Sequence, residues 1–338
     1  MASLQVTFGS IRAEVQRYMG FGRNTGFSSL SPDSQGDVLS VIDRGLRQFY
    51  SPMPLPGESS GHEWTFLTGE GVVSTSAPYT TGTVTVAGAV VTGDGTTFAA
   101  SMVGKLFHCN NEIREVSVFT DTTHITLDRA VETNVTSAAT YEILGHKYDM
   151  PSDFGGMKGT FAFRDGDGYS PVNLTNWSNV QTMRSQSSIR KDIPEFAAII
   201  PKDTDNDSTT AQTSQVILWP FPDKIYDLNF VYTVFVESIS DDATNDADDN
   251  NVPIGGMMHG ETIIASCLAV AEQMIDEFNN PGKNQARFIE RLAASISYDR
   301  RNMLPDGFGY NADNSDRQSQ FPSRRRIQVV TRNNVTYP

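Results

Sequence analysis

Cysteine is nearly absent from this 338-residue chain: Cys109 and Cys267 stand far apart, and neither belongs to a Cys-x-x-Cys pair. A disulfide framework and a cysteine-based structural zinc site are therefore not expected. No run of 18 apolar residues occurs, which argues against a membrane-spanning helix. The opening "MASLQVTFGS" has neither a basic stretch nor an apolar core, so no signal peptide is expected. The chain is expected to fold in a cytosol, and triplets such as Asn134-Val-Thr to be accidents of a polar sequence. Positive charge is also short: 26 Lys and Arg stand against 40 Asp and Glu, a net charge of −14. That balance argues against general wrapping on nucleic acid.

Catalytic signatures are missing too. There is no Gly-x-Ser-x-Gly elbow, phosphate loop or His-Glu-x-x-His. The histidines at 62, 108, 124, 146 and 259 never take a metal-ligand spacing. His108 and Cys109 are adjacent, but neighbouring strand residues face opposite ways. "DTDNDS" from Asp203 opens like a calcium loop, yet it lacks the glycine at the sixth position, and Ser214 stands where the closing glutamate belongs. "RDGDGY" is equally incomplete, and both read as turns. No catalytic residue, cofactor or metal ligand is expected.

What is present is helical pattern at both ends and β pattern between. In "SIRAEVQRYMG", Ile11, Val15, Tyr18 and Met19 recur at helical spacing, and Gly20 ends the run. In "SPDSQGDVLSVIDRGLRQFYSP", Ser31 can cap, Pro32 suits the first turn, and Val38, Ile42, Leu46 and Phe49 form a stripe. A third helix follows in "GETIIASCLAVAEQMIDEFNNPG", with Ile264, Cys267, Leu268, Ala271, Met274, Ile275 and Phe278 inward, and a fourth in "NQARFIERLAASISYDRRNM". Between them, "TVTVAGAVVTGDGTTF", "KLFHCNNEIREVSVF", "THITLDRAV" and "TYEIL" alternate like short strands divided by turns. Val84, Val86, Phe98, Leu106, Val116, Ile125, Leu127, Tyr141 and Ile143 are expected to form the core of that region. "GTFAF", "QVILWPFPD" and "IYDLNFVYTVFVE" add strands, and "NWSNVQTMRSQ" reads as one short helix capped by Asn176.

The expected fold class is α+β: a split four-helix bundle with a long inserted β-rich region and an extended C-terminal arm. Residues 1–63 and 254–304 supply the two halves of the bundle. Residues 64–71 with 147–253 form the β-rich region, 72–146 an inserted small β-sandwich or barrel, and 305–338 the arm.

Several stretches together resemble a known family. "IRAEVQRYMGFGR", "VIDRGLRQFYSP", "EWTFL", "KYDMPSDFGGM", "VILWPFPD" and "LAASISYDRRNMLPDGFGYNADNSD" are similar, in this order, to head–tail connector adaptors of tailed bacteriophages. The similarity runs through most of the chain and rests on the order and number of matches, since no single motif is diagnostic. The resemblance implies a structural protein of the virion neck, not an enzyme, made in the host cytoplasm. It would form a homo-oligomeric ring, usually of twelve subunits, with the portal protein above and a tail, stopper or nozzle protein below. DNA would pass through the ring unbound, and no membrane or cofactor is implied. Two alternatives remain: another virion component, such as a tail-fibre or baseplate part, suggested by the Thr/Gly-rich β-insert; and a carbohydrate-active enzyme, suggested by Trp64, Trp177 and Trp219 among many acids.

Two segments are the candidate sites. The tail "FPSRRRIQVVTRNNVTYP" carries four arginines and no carboxylate; removing those four charges from the −14 leaves −18 on the preceding residues. Its β-branched residues favour an extended strand that is too short to order itself alone. Arg324, Arg325, Arg326, Ile327, Val329, Val330 and Arg332 are thus expected to form an arm docking on the portal or a neighbouring subunit. The acidic stretch with Asp241, Asp242, Asp246, Asp248 and Asp249 is expected to face the channel or a solvent-filled gap, or to sit on the outer rim, because burying so many carboxylates is costly.

Overall fold

In a computed structural model, the structure describes residues 4–22, 26–56, 59–186, 189–202, 212–239, 249–275, 282–302, 330–332 and 335–337. The chain starts with α1 (Phe8–Tyr18) and α2 (Pro32–Tyr50). Thr7 and Ser10 exchange capping bonds at the start of α1, and Ser31 accepts from the Ser34 amide at the start of α2, just ahead of Pro32. Two more helices follow late in the chain, α4 (Gly260–Ile275) and α5 (Lys283–Asn302), with α3 (Trp177–Gln186) between.

Phe8, Ile11, Val38, Ile42, Phe49, Ile263, Cys267, Phe288, Leu292 and Ile296 belong to one buried cluster, so the first and last helices share a core. The expected fold class is nevertheless overturned. Strands outnumber the five helices more than threefold among the described residues, and they carry most of the architecture. The helices do not make a split four-helix bundle either. α1, α2 and α5 each pack on α4, while the remaining side of the core is filled by the loop bearing Trp64 and Leu67. The Trp64 indole N–H donates to the Phe49 carbonyl at 2.8 Å, fixing that loop against the end of α2.

The inward face of α4 differs from the expected stripe as well. Of that stripe Cys267 and Ala271 are buried, Ile264 and Leu268 are half-buried, Met274 and Ile275 are exposed, and Phe278 lies outside the described residues; Ile263, Ala265, Ser266 and Ala269 are buried in addition. Small residues turn inward because α2 passes very close. A Cβ added at Gly45 would lie 2.7 Å from the Cys267 Cα.

The β part has three layers and a curled appendage. β1 (Thr68–Ser74), β16 (Asp227–Val234) and β10 (Phe154–Phe163) form an antiparallel sheet in the order β1-β16-β10. Leu228, Phe230 and Tyr232 alternate inward along β16, as the sequence pattern requires. They pack on a second sheet of order β11-β13-β14-β9, made of β11 (Asn173–Leu174), β13 (Phe196–Pro201), β14 (Ser214–Trp219) and β9 (Lys147–Asp149). This second sheet is covered on both faces. Val216 and Leu218 face the first sheet, while Ile217 and Trp219 join Val180 of α3 in another cluster. Burial on both sides explains the unbroken apolar run "VILW". β12 (Lys191–Asp192) and β15 (Phe221–Pro222) form a short parallel pair nearby.

The appendage is one seven-stranded sheet of order β7-β2-β3-β6-β5-β4-β8. Its strands are β2 (Thr83–Ala87), β3 (Val90–Asp94), β4 (Leu106–Cys109), β5 (Glu112–Phe119), β6 (His124–Leu127), β7 (Val135–Ala139) and β8 (Glu142–Leu144). Its two outermost strands, β7 and β8, are separated in sequence by Thr140 and Tyr141 alone. The sheet must therefore curl into a partial barrel. Asn110 and Asn111, at φ 49° and 65°, make the two-residue turn between β4 and β5. The curled sheet has its own core, and of the residues expected there only Leu106 falls outside, packing instead with the α3 cluster. Entry and exit are stitched together where Tyr79 and Ile143 exchange backbone bonds of 3.0 and 2.9 Å. The "RDGDGY" stretch is a turn in which the Asp167 amide donates to Arg164. The "DTDNDS" stretch lies outside the described residues.

Candidate functional site

The helical core and the β layers meet at one seam, built by the chain leaving β16. Val234 donates its N–H to Leu67 at 3.0 Å, and Phe235 donates to Asp153 at 2.7 Å, so Val234–Val236 is pinned between the two parts. A cleft lies on each side of it. One, of about 620 Å³, runs between Leu46 and Tyr50 of α2 and Val252–Ile254. The other, of about 560 Å³, is walled by Pro52, His62 and Trp64. Phe235 stands between them and is 65 % exposed. Val252, Ile254, Met257 and Met258 extend the apolar surface on the helical side, all exposed. Tyr50 ties α2 to this edge by donating its hydroxyl to the Ile254 carbonyl at 3.0 Å. Burial pushes that phenol well above its ordinary pKa, so it stays a donor.

Behind the seam sits a polar anchor. Asp299, buried on α5, accepts from the Thr65 amide at 3.1 Å, from the Thr65 hydroxyl, and from His62 Nε2 at 2.8 Å. Burial pushes this carboxyl upward, but the bonds from Thr65 and His62 outweigh it and hold it below the usual carboxylate range. The ring of His62 meets Trp64 edge-on, and Trp64, Phe49, Phe66 and His259 form a continuous aromatic group. Burial lowers the His259 pKa against the opposing pull of Asp299. This constellation locks the 62–67 loop to α5. It joins residues 234 positions apart in sequence, and no local pattern announces it.

The residues singled out from sequence are distributed unevenly. Arg324, Arg325, Arg326, Ile327 and Val329 lie outside the described residues, as do Asp241, Asp242, Asp246 and Asp248. Val330 and Arg332 lie on β17 (Val330–Arg332), which pairs antiparallel with β18 (Val335–Tyr337). The strand thus has a first partner within its own tail, a two-stranded hairpin of the kind that is marginal by itself. Asp249, whose side chain is 34 % exposed, forms an ion pair of 2.8 Å with Arg12 on α1. The Arg12 guanidinium lies 4.7 Å from the centre of the Phe27 ring, so the pair is set against the helical core. His108 bonds Glu142 at 2.9 Å, and Glu142 also takes Lys191 at 2.6 Å. Among the described residues no group of three or more His, Cys, Asp or Glu is placed to hold a metal. No described helix is long and apolar enough to cross a membrane.

The site is therefore an apolar seam with a rigid polar backing, suited to packing against another surface. Comparison with known protein families and with curated proteins finds no match to the chain.

Proposed function

We propose that this chain is a structural head-to-tail adaptor of a tailed phage, forming a ring below the portal that joins capsid to tail and surrounds the DNA passage. The observation that supports this reading is the serial arrangement of unlike parts. The first and last helices share a core, the β layers join it at the seam, and the curled sheet joins those layers where its Leu106 and Leu144 pack with Ile217, Trp219 and Val180. A subunit built this way has a helical end and a β end with different chemistry, as a part bridging two different rings needs. The open seam around Phe235 offers an apolar surface for a neighbouring copy, and head-to-tail repetition of one such contact closes a ring when the rotation per subunit allows. The net charge of −14 suits a passage that must not retain DNA phosphates. The arginine-rich tail, by the resemblance, is the tether to the portal.

The test is attachment. The intact protein is expected to bind portal-bearing heads, and a chain ending at Gln320 to stay folded and lose that binding. Undiminished binding by the shortened chain would remove the tail from the reading. Failure of the intact protein to bind heads at all would remove the reading itself.

A further inference from the structure

A third cleft, of about 830 Å³, lies where the curled sheet meets α3 and has no part in the seam. Arg184 of α3 is placed at its wall. The Nη2 of Arg184 donates to the carbonyls of His146 at 3.2 Å and Leu218 at 2.8 Å, and its guanidinium stacks 4.8 Å from the centre of the Phe221 ring. The described bonds use Nη2 alone, and Nε is sealed from solvent with no partner. No described carboxylate is within ion-pairing distance of Arg184, although acids outnumber bases in this chain by 40 to 26. A guanidinium taken from water normally gains a carboxylate or phosphate in exchange; two carbonyls and a ring face do not neutralise it.

The same cleft is also lined by Arg129 of the curled sheet, whose side chain is 70 % exposed and whose neighbouring acid, Asp128, stands 4.0 Å away. The acids in the cleft are already engaged. Glu115 is held by Lys147 at 3.3 Å, and Asp128 accepts the Glu115 N–H at 3.0 Å. Ser178 and Thr182 of α3 add hydroxyls to the lining.

We propose that this cleft is an oxyanion-binding site, holding a phosphate or carboxylate group between Arg184 on the α3 side and Arg129 on the curled sheet. Arginine suits both ligands, since its planar donor fork matches paired oxygens. Burial holds the Arg184 pKa down to about 10, which still leaves it charged at neutral pH. Because the two arginines belong to different parts, a bound oxyanion fastens the curled sheet to the β layers.

Calorimetric titration of the full-length protein with inorganic phosphate, and separately with acetate, at ionic strength matched by chloride, tests this. Saturable binding with a Kd of about 1 mM or tighter is expected, weakened about tenfold by Arg184→Met, which keeps an unbranched apolar stem and removes the charge, and several-fold by Arg129→Ala. Arg129 is surface-exposed, so its variant keeps the test decisive if Arg184→Met fails to fold. Tighter phosphate binding assigns the site to a phosphate ligand; tighter acetate binding assigns it to a carboxylate, such as one from another protein chain. Absence of saturable binding with either anion, or affinity unchanged in Arg129→Ala, overturns the proposal.

Discussion

Gly45 is the sharpest test of how the two ends of the chain are joined, because two effects of one substitution oppose each other there. Replacing a helical glycine by alanine gains about 1 kcal/mol in helix propensity. At Gly45, however, the new Cβ would lie 2.6 Å from the Cys267 Sγ, 2.7 Å from its Cα and 2.9 Å from its N. Two of those three atoms are backbone, so no rotamer change relieves the clash and α2 must move away from α4. Overpacking of this kind costs about 1–3 kcal/mol or more. The bond from the Ser266 hydroxyl to the Gly45 carbonyl, 2.7 Å long, stretches with it and adds about 1 kcal/mol. The net expectation for Gly45→Ala is destabilisation by about 1–3 kcal/mol. Gly36 lies on the same helix with nothing within 4 Å of its would-be Cβ. Gly36→Ala should therefore stabilise by about 0.5–1 kcal/mol. The assay is hydrogen exchange at Ile263–Ala271, supported by alkylation of Cys267. Burial pushes that thiol up to about 12, which keeps it unreactive near pH 8 until the helices separate. If the two substitutions act alike, the α2–α4 contact is wrong.

Three further outcomes follow from the same contacts. Asp299→Ala strands the Thr65 amide, the Thr65 hydroxyl and His62, and should cost about 3–5 kcal/mol. Because the folded carboxyl titrates below its unfolded value of about 3.9, its contribution is present above that value and lost as pH falls through the lower folded one. Asp299→Asn should thus flatten the acid limb of a stability–pH profile, and an unchanged limb would refute the anchor. Asp249→Lys sets a cation against Arg12 and should destabilise α1 by about 3–5 kcal/mol in urea unfolding; a neutral result would return Asp249 to open solvent. Replacing Pro78–Ile143 by a short Gly-Ser linker should leave exchange protection of α4 intact, since the excised strands pack on their own core. Lost protection there would show that the curled sheet supports the helices.

The sequence was informative wherever a pattern is local. The Ser31-Pro32 start of α2, the Asn176 cap of α3, whose side chain accepts from the Asn179 amide, and the alternation of Leu228, Phe230 and Tyr232 all follow from near neighbours. Long amphipathic stripes are loud in a sequence, whereas strands of two to ten residues divided by Thr and Gly are quiet, so the helices outweigh the strands in the sequence pattern but not in the fold. Nor does a stripe say how closely two helices pass. The inward face of α4 is set by Gly45, more than two hundred residues away, and small residues replace the expected Met274 and Ile275. The site was the least legible part. The Asp299–Thr65 anchor, the Arg12–Asp249 pair and the unpaired Arg184 each depend on partners distant in sequence. An arginine or aspartate in isolation reads as solvated surface. Asp249 stands at the end of an acidic run, and nothing near it in sequence announces the ion pair with Arg12.

Electron microscopy of the purified protein bound to portal-bearing heads tests the adaptor reading most directly. The account predicts a closed ring coaxial with the portal, with the helical core of every subunit toward one end and the curled sheet toward the other. Isolated monomers or trimers, with no density added beneath the portal, would contradict it.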